Sequence, residues 1–323
     1  MNKFSKQNIS KCDLNIVIQN PLKAELFTIL FQHMKVFAEH INIIFESERM
    51  FIQSMDNSRI SIFEVSLPKY WFDKYELLED FNELENSPKC NGGELSSSKK
   101  PKKTQEDCLD VETHGMLDKN PPSTNRSITI GIHSFILFRV LSARDKTQEI
   151  HFNFNSNENQ DILNIHFTGN NKAEFDKHFE ISLIDVDLDL MAIPDDEPQA
   201  EFSISSFNFA NIINQLKMFG DNLDVSCSEE KIMLCSNSVE QGKMFVEIKI
   251  DDLSSFIIDE GGNIKMSFSL NSLHNICLYN KLSKEVVICF KDSYPMKIIY
   301  SLFGHEHAKM TFYLAPKISD GED

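Results

Sequence analysis

Few side chains in this 323-residue chain are spaced for chemistry. His305-Glu306-His307 sets two imidazoles two residues apart. On a strand both would share one face, so a metal-dependent enzyme built on His305 and His307 has to be weighed. No third ligand is evident beside them, and histidines next to a turn are the plainer reading. Cys90, Cys108 and His114 are zinc-type ligands at a spacing that matches no specific zinc motif, so they read as loop residues. There is no Gly-rich phosphate loop and no nucleophile–base arrangement. The chain reads as a non-enzyme with no metal and no cofactor.

What remains is electrostatics. The net charge of −17 argues against a polyanionic partner unless the basic residues gather on one face. Three helical stretches, Ser134–Arg144, Asn208–Phe219 and Ser272–Lys281, contain neither Asp nor Glu. With 49 acids in the chain, about five would fall in stretches of that combined length by chance. Their polar positions hold Arg139, Arg144, Asn211, Asn214, Gln215, Lys217, His274, Asn275 and Lys281. A fourth helix offers Lys23 and Lys35, diluted by Glu25 and Glu39. Helices kept free of acid in an acidic protein point at something anionic, such as a phosphate backbone. Short half-buried helices that hold few charges of either sign are the plain alternative.

The elements that must carry these residues repeat. A strand at Leu14–Ile18 precedes a helix capped by Asn20 and opened by Pro21, expected to run to about His40. Strand, turn and strand follow to Leu67. From Ser127 a strand leads into a second helix followed by strands, and a short helix followed by strands returns twice more after residue 200. Phe209, Ile212, Ile213 and Leu216 give the third helix an i, i+3, i+4, i+7 stripe. The fold class is α+β, with antiparallel sheets and short helices arranged as two similar domains. Between the halves, residues 181–199 alternate like a strand through Val186–Leu190 and then meet Pro194 and Pro198, which marks an interdomain connector. The expected organisation is a flexible lead at 1–13, an N-terminal domain at 14–180, the connector, a C-terminal domain at 200–318 and an acidic tail at 319–323. Residues 79–126 are rich in Asn, Ser, Lys, Glu and Gly and form a low-complexity insertion. Its basic cluster Ser96–Lys103 could serve nuclear import or touch DNA, although a solvated lysine loop is the favoured reading. No run approaches the roughly 18 apolar residues of a membrane span. The N-terminus lacks a secretory h-region. Seven cysteines at irregular spacing read as reduced thiols.

Three stretches resemble a known family. Phe51-Ile-Gln-Ser-Met-Asp-Asn-Ser-Arg-Ile-Ser-Ile62, Leu183-Ile-Asp-Val-Asp-Leu-Asp-Leu-Met-Ala-Ile-Pro194 and Phe312-Tyr-Leu-Ala-Pro-Lys-Ile318 are similar to segments of proliferating cell nuclear antigen, the eukaryotic-type sliding clamp. The resemblance implies a homotrimeric ring lined by helices, which encircles duplex DNA without reading sequence and acts as a polymerase processivity factor. It places Lys23, Arg139, Arg144, Lys146, Lys217 and Lys281 toward DNA. Asn211 and Asn214 stand where clamps commonly carry arginines, so the inner surface should be less positive than usual.

The resemblance also implies a pocket for peptides of the form Gln-x-x-aliphatic-x-x-aromatic-aromatic, carried by polymerases, the clamp loader, flap nucleases and ligases. Its expected wall is Met55, Ile60, Met191, Ile193, Pro194, Pro295, Tyr313, Leu314, Ala315, Pro316 and Ile318. Met191-Ala192 replaces the family's commoner Leu-Gly, a bulkier connector expected to narrow the range of clients. Subunits should join by edge strands, Phe179 and Ile181 of one copy against Phe245 and Lys249 of the next. The work would be done in the nucleus, or at a cytoplasmic replication site if the source is viral. The rival within the same fold is a checkpoint-type heterotrimer.

Overall fold

The computed structural model describes residues 13–77, 127–157, 159–169, 174–187, 189–194, 196–305 and 307–317. The expected insertion with its basic cluster, Cys90, Cys108, His114, Glu306, Ile318 and the acidic tail lie outside the described residues.

Four units follow one plan. The first is β1 (Leu14–Ile18), α1 (Pro21–Gln32), β2 (His40–Phe45), β3 (Arg49–Met55), β4 (Ser61–Pro68) and β5 (Lys74–Leu77). The second is β6 (Ile128–His133), α2 (Ser134–Leu141), β7 (Glu149–Phe154), β8 (Ile162–Thr168) and β9 (Lys177–Ser182). The third is β10 (Ala200–Ser205), α3 (Ser206–Leu216), β11 (Asn222–Ser228), β12 (Lys231–Ser238), β13 (Gly242–Lys249) and β14 (Ser255–Ile258). The fourth is β15 (Asn263–Ser269), α4 (Leu270–Cys277), β16 (Glu285–Phe290), β17 (Met296–Ser301) and β18 (Lys309–Leu314).

All strand pairs are antiparallel and form three sheets. One has five strands (β5-β1-β7-β8-β9) and one has four (β13-β12-β11-β15). The third has nine, in the order β14-β10-β16-β17-β18-β4-β3-β2-β6. It joins the two halves of the chain, because β18 pairs with β4 from Lys309↔Ser66 to Leu314↔Ser61. Under that seam Phe37, Phe63, Tyr279, Tyr300 and Phe312 meet in a buried aromatic cluster, with ring centroids 5.2–6.3 Å apart. The helices pack in pairs, α1 beside α2 and α3 beside α4.

The helices are shorter than the apolar periodicity predicts. α1 is capped as expected by Asn20, whose side chain accepts from the N–H groups of Leu22 and Lys23, but it stops at Gln32 and a single 3-10 turn covers Met34–Val36. Ser205 and Ser269, three residues upstream of the expected starts at Asn208 and Ser272, cap α3 and α4. A serine hydroxyl placed before the stripe satisfies an otherwise orphaned N–H, so the cap fixes the start more firmly than the apolar spacing. Strands β5, β14 and β15 were not read from the sequence; β5 and β14 are only four residues long.

The expected strand at Val186–Leu190 is not one. β9 ends at Ser182, and the described residues from Leu183 to Pro198 have no regular structure. An alternating pattern becomes a strand only beside a ladder partner. Here the backbone bonds elsewhere: the Ile184 N–H donates to the Gly131 carbonyl (3.0 Å), and Asn42 Nδ2 donates to the Val186 carbonyl (2.9 Å).

Candidate functional site

An apolar recess lies under the connector. Met191, Ala192, Ile193 and Pro194 form one side of a groove of about 550 Å³. Its floor and far wall come from Ile62 on β4, Ile299 on β17, Tyr313 on β18 and the turn residues Tyr294 and Pro295. Strand alternation explains the set: Ile62 pairs with Tyr313, and both face outward while their chain neighbours enter the core.

The connector is held there by one buried side chain. Gln53 receives the Met191 N–H on Oε1 (2.6 Å) and donates Nε2 to the Met191 carbonyl (2.9 Å) and to Glu64 (2.9 Å). The Tyr313 hydroxyl donates to the same Glu64 (3.3 Å). Charge sits at the rim, where Lys291 pairs with Asp196 (3.1 Å) and lies over the Tyr294 ring. Burial, then the neighbouring Glu201, pushes the Cys289 thiol up to about 12, so at neutral pH it is an inert wall atom rather than a nucleophile. An apolar channel with a few fixed polar groups is what a short peptide turn with aliphatic and aromatic anchors requires.

Of the expected wall, Met191, Ile193, Pro194, Pro295 and Tyr313 line the groove. Leu314 is corrected: its side chain is fully buried on the opposite face of β18, because it is the strand neighbour of Tyr313. Met55, Ile60, Ala315 and Pro316 sit at the adjoining strand ends, where the Ala315 N–H donates to the Ile60 carbonyl, and do not line the groove. Ile62, Ala192, Tyr294 and Ile299 do line it and were missed. Outward alternation on β4 could have revealed Ile62.

α2, α3 and α4 carry no acid, as read from the sequence. Arg139, Lys146 and Lys281 are exposed. Lys35 is exposed as well, its ammonium 4.6 Å from the Phe135 ring centroid. His33 is held below its ordinary pKa by burial, then by Lys281 and Lys35, so both cations act on the same imidazole. Burial first, then Lys217, does the same to His274.

Two of the expected cations are otherwise engaged. Arg144 Nη1 donates to the carbonyls of Asp145, Lys146 and Gln148 (2.9–3.0 Å), so its guanidinium closes a turn. Lys23 donates to the Trp71 carbonyl (2.6 Å) beneath the Trp71 and Phe303 rings. The exposed face of α3 is Phe207, Asn208, Asn211, Asn214 and Gln215, which bears no charge.

β9 and β13 are sheet edges. Phe245 is 65% exposed and Lys249 is exposed. Phe179 is half-buried, while Ile181 belongs to the core and brings only its backbone to the edge. His305 and His307 lie between the 3-10 turn Leu302–Gly304 and β18 rather than on a strand, and His305 stacks on Phe303. Among the described residues the two are not part of a cluster of metal ligands.

Residues 192–317 match the family described as Proliferating cell nuclear antigen, C-terminal domain. The Proliferating cell nuclear antigen of Chaetomium thermophilum is 26% identical over 207 residues, 63% of this chain and 78% of that protein. The fold is similar to the crystal structure of Proliferating Cellular Nuclear Antigen from Entamoeba histolytica, with a TM-score of 0.72 and 17% identity over 95% of this chain and all of the other. A fourfold strand–helix repeat, acid-free helices and a connector-covered groove, taken with these likenesses, define the sliding-clamp fold. These likenesses agree on one family, proliferating cell nuclear antigen, to whose C-terminal domain residues 192–317 are similar.

Proposed function

We propose that three copies of this chain close into a ring around duplex DNA and tether replication and repair proteins through the groove beneath the connector. The observation that carries the reading is that groove, bounded by Met191, Ile193 and Pro194 on one side and Tyr313 and Pro295 on the other. Edge strands β9 and β13 supply the joint: a five-stranded and a four-stranded sheet, each ending on an unpaired edge, extend one another when they meet. Arg139, Lys146, Lys281, Lys217 and Lys35 give a sparse positive surface, and sparse attraction holds phosphates without fixing a register, as sliding requires. The two similar domains divide at the connector, near residues 181–199. On this reading the chain is a clamp rather than a catalyst, working with nuclear DNA replication proteins.

Sedimentation of the purified chain tests the ring. A single species near three times 37.2 kDa is expected. A stable monomer overturns the homotrimer, and formation of a ring only with added related chains points to a heterotrimer. Calorimetric titration with a Gln-x-x-aliphatic-x-x-aromatic-aromatic peptide tests the groove. The double variant Met191→Ala/Tyr313→Ala should bind at least about tenfold more weakly, since two anchors' apolar contacts are lost; unchanged affinity removes the groove from the proposal.

A further inference from the structure

Where β2 and β6 pair, their last register partners are His40 and His133. The two rings stand with centroids 4.2 Å apart, inclined at 58°. Glu39 precedes His40, and one ligand atom from each of Glu39, His40 and His133 lies within 4.8 Å of the others. None of the three side chains has a hydrogen-bond or ion-pair partner among the described residues. The backbone beneath them is fixed: Ser134, fully buried, donates its N–H to the Glu39 carbonyl (2.9 Å) and its hydroxyl to the Ala38 carbonyl (2.7 Å).

We propose that Glu39, His40 and His133 form a binding site for a first-row divalent metal ion of the zinc type. Two imidazole nitrogens and one carboxylate oxygen are a borderline donor set suited to Zn2+, and three protein ligands leave a fourth tetrahedral position for water. Bonds of about 2.1 Å around a tetrahedral ion put ligand atoms about 3.4 Å apart. Binding would draw the ligand atoms, now within 4.8 Å of one another, to that spacing by rotation of side chains at the surface. The ion would join the exit of α1 to the entry of α2 and staple β6, an outer strand of the nine-stranded sheet, to β2. This site does not use the groove or the helix cations.

The test is calorimetric titration of the full chain with Zn2+ at fixed pH, with Co2+ absorption as a second probe. The parent should take up one ion per chain at this site, with visible Co2+ bands and a raised unfolding temperature. His40→Ala/His133→Ala should lose at least about tenfold in Zn2+ affinity together with the Co2+ bands, while His166→Ala should keep both. Glu39→Gln, with the backbone contacts intact, gives an independent reading if the double variant folds poorly in metal-free buffer. Equal affinity and stoichiometry in parent and Glu39/His40/His133 variants would place any bound ion elsewhere and overturn the site, as would a parent that binds no ion.

Discussion

Single residues here do work that their types alone do not announce. Gln53 is a buried amide that satisfies both backbone groups of Met191. Gln53→Ala would leave them unpaired at a cost of about 1–3 kcal/mol and release the connector from the sheet. Weaker client-peptide binding with little change in the far-ultraviolet spectrum is the expected result; undiminished binding would show that the connector holds itself. Gly131 permits the close approach of the connector start, since a Cβ there would come within 2.1 Å of the Ile184 carbonyl.

His166 carries a pH dependence. It lies between His151 and His178 in register, and burial first, then those two neighbours, holds its pKa below the ordinary 6.5. The unfolded chain then binds the proton more readily, so the contribution is present above 6.5 and is lost as pH falls through the depressed folded value. The urea midpoint should therefore drop between pH 7.5 and 5.5, and His166→Gln should flatten part of that drop. A parent midpoint equal at the two pH values would contradict it.

At the scale of elements, alternation explains why only part of the groove was legible. The motif ending in Tyr313-Leu314-Ala315-Pro316 marks the right strand, yet successive residues of a strand face opposite ways, so Tyr313 lines the groove and Leu314 fills the core. Ile299 and Tyr294 come from a strand and a turn that the motif does not include, and only the β17–β18 register brings them alongside. Charge behaves similarly. The acid-free helices were visible in sequence, but that Arg144 is consumed by three carbonyls was not. Arg144→Ala should lower the unfolding temperature and leave the salt dependence of DNA binding unchanged, whereas Arg139→Ala should reduce its slope by about one. The edge strands predict that Phe245→Asp, at an exposed position on β13, shifts sedimentation toward monomer.

For the whole molecule, the seam between the halves is closed by a buried aromatic cluster. Phe312 meets Phe37 and Phe63 across it, and Tyr279 and Tyr300 on its own side. Phe312→Ala should cost about 3–5 kcal/mol in equilibrium unfolding, because the cavity cannot collapse between two packed halves; a loss below 1 kcal/mol would show that the cluster is not the joint.

The sequence by itself determined the repeat, the α+β class, the absence of acid in three helices and the identity of the connector and C-terminal motifs. These depend on local periodicity and on residue order along the chain. The tertiary structure alone decided which residue of each motif faces the groove, which cations are free, and that Glu39 and His40 meet His133. Those outcomes depend on strand register and on hydrogen-bond partners far apart in sequence, and no local pattern encodes either.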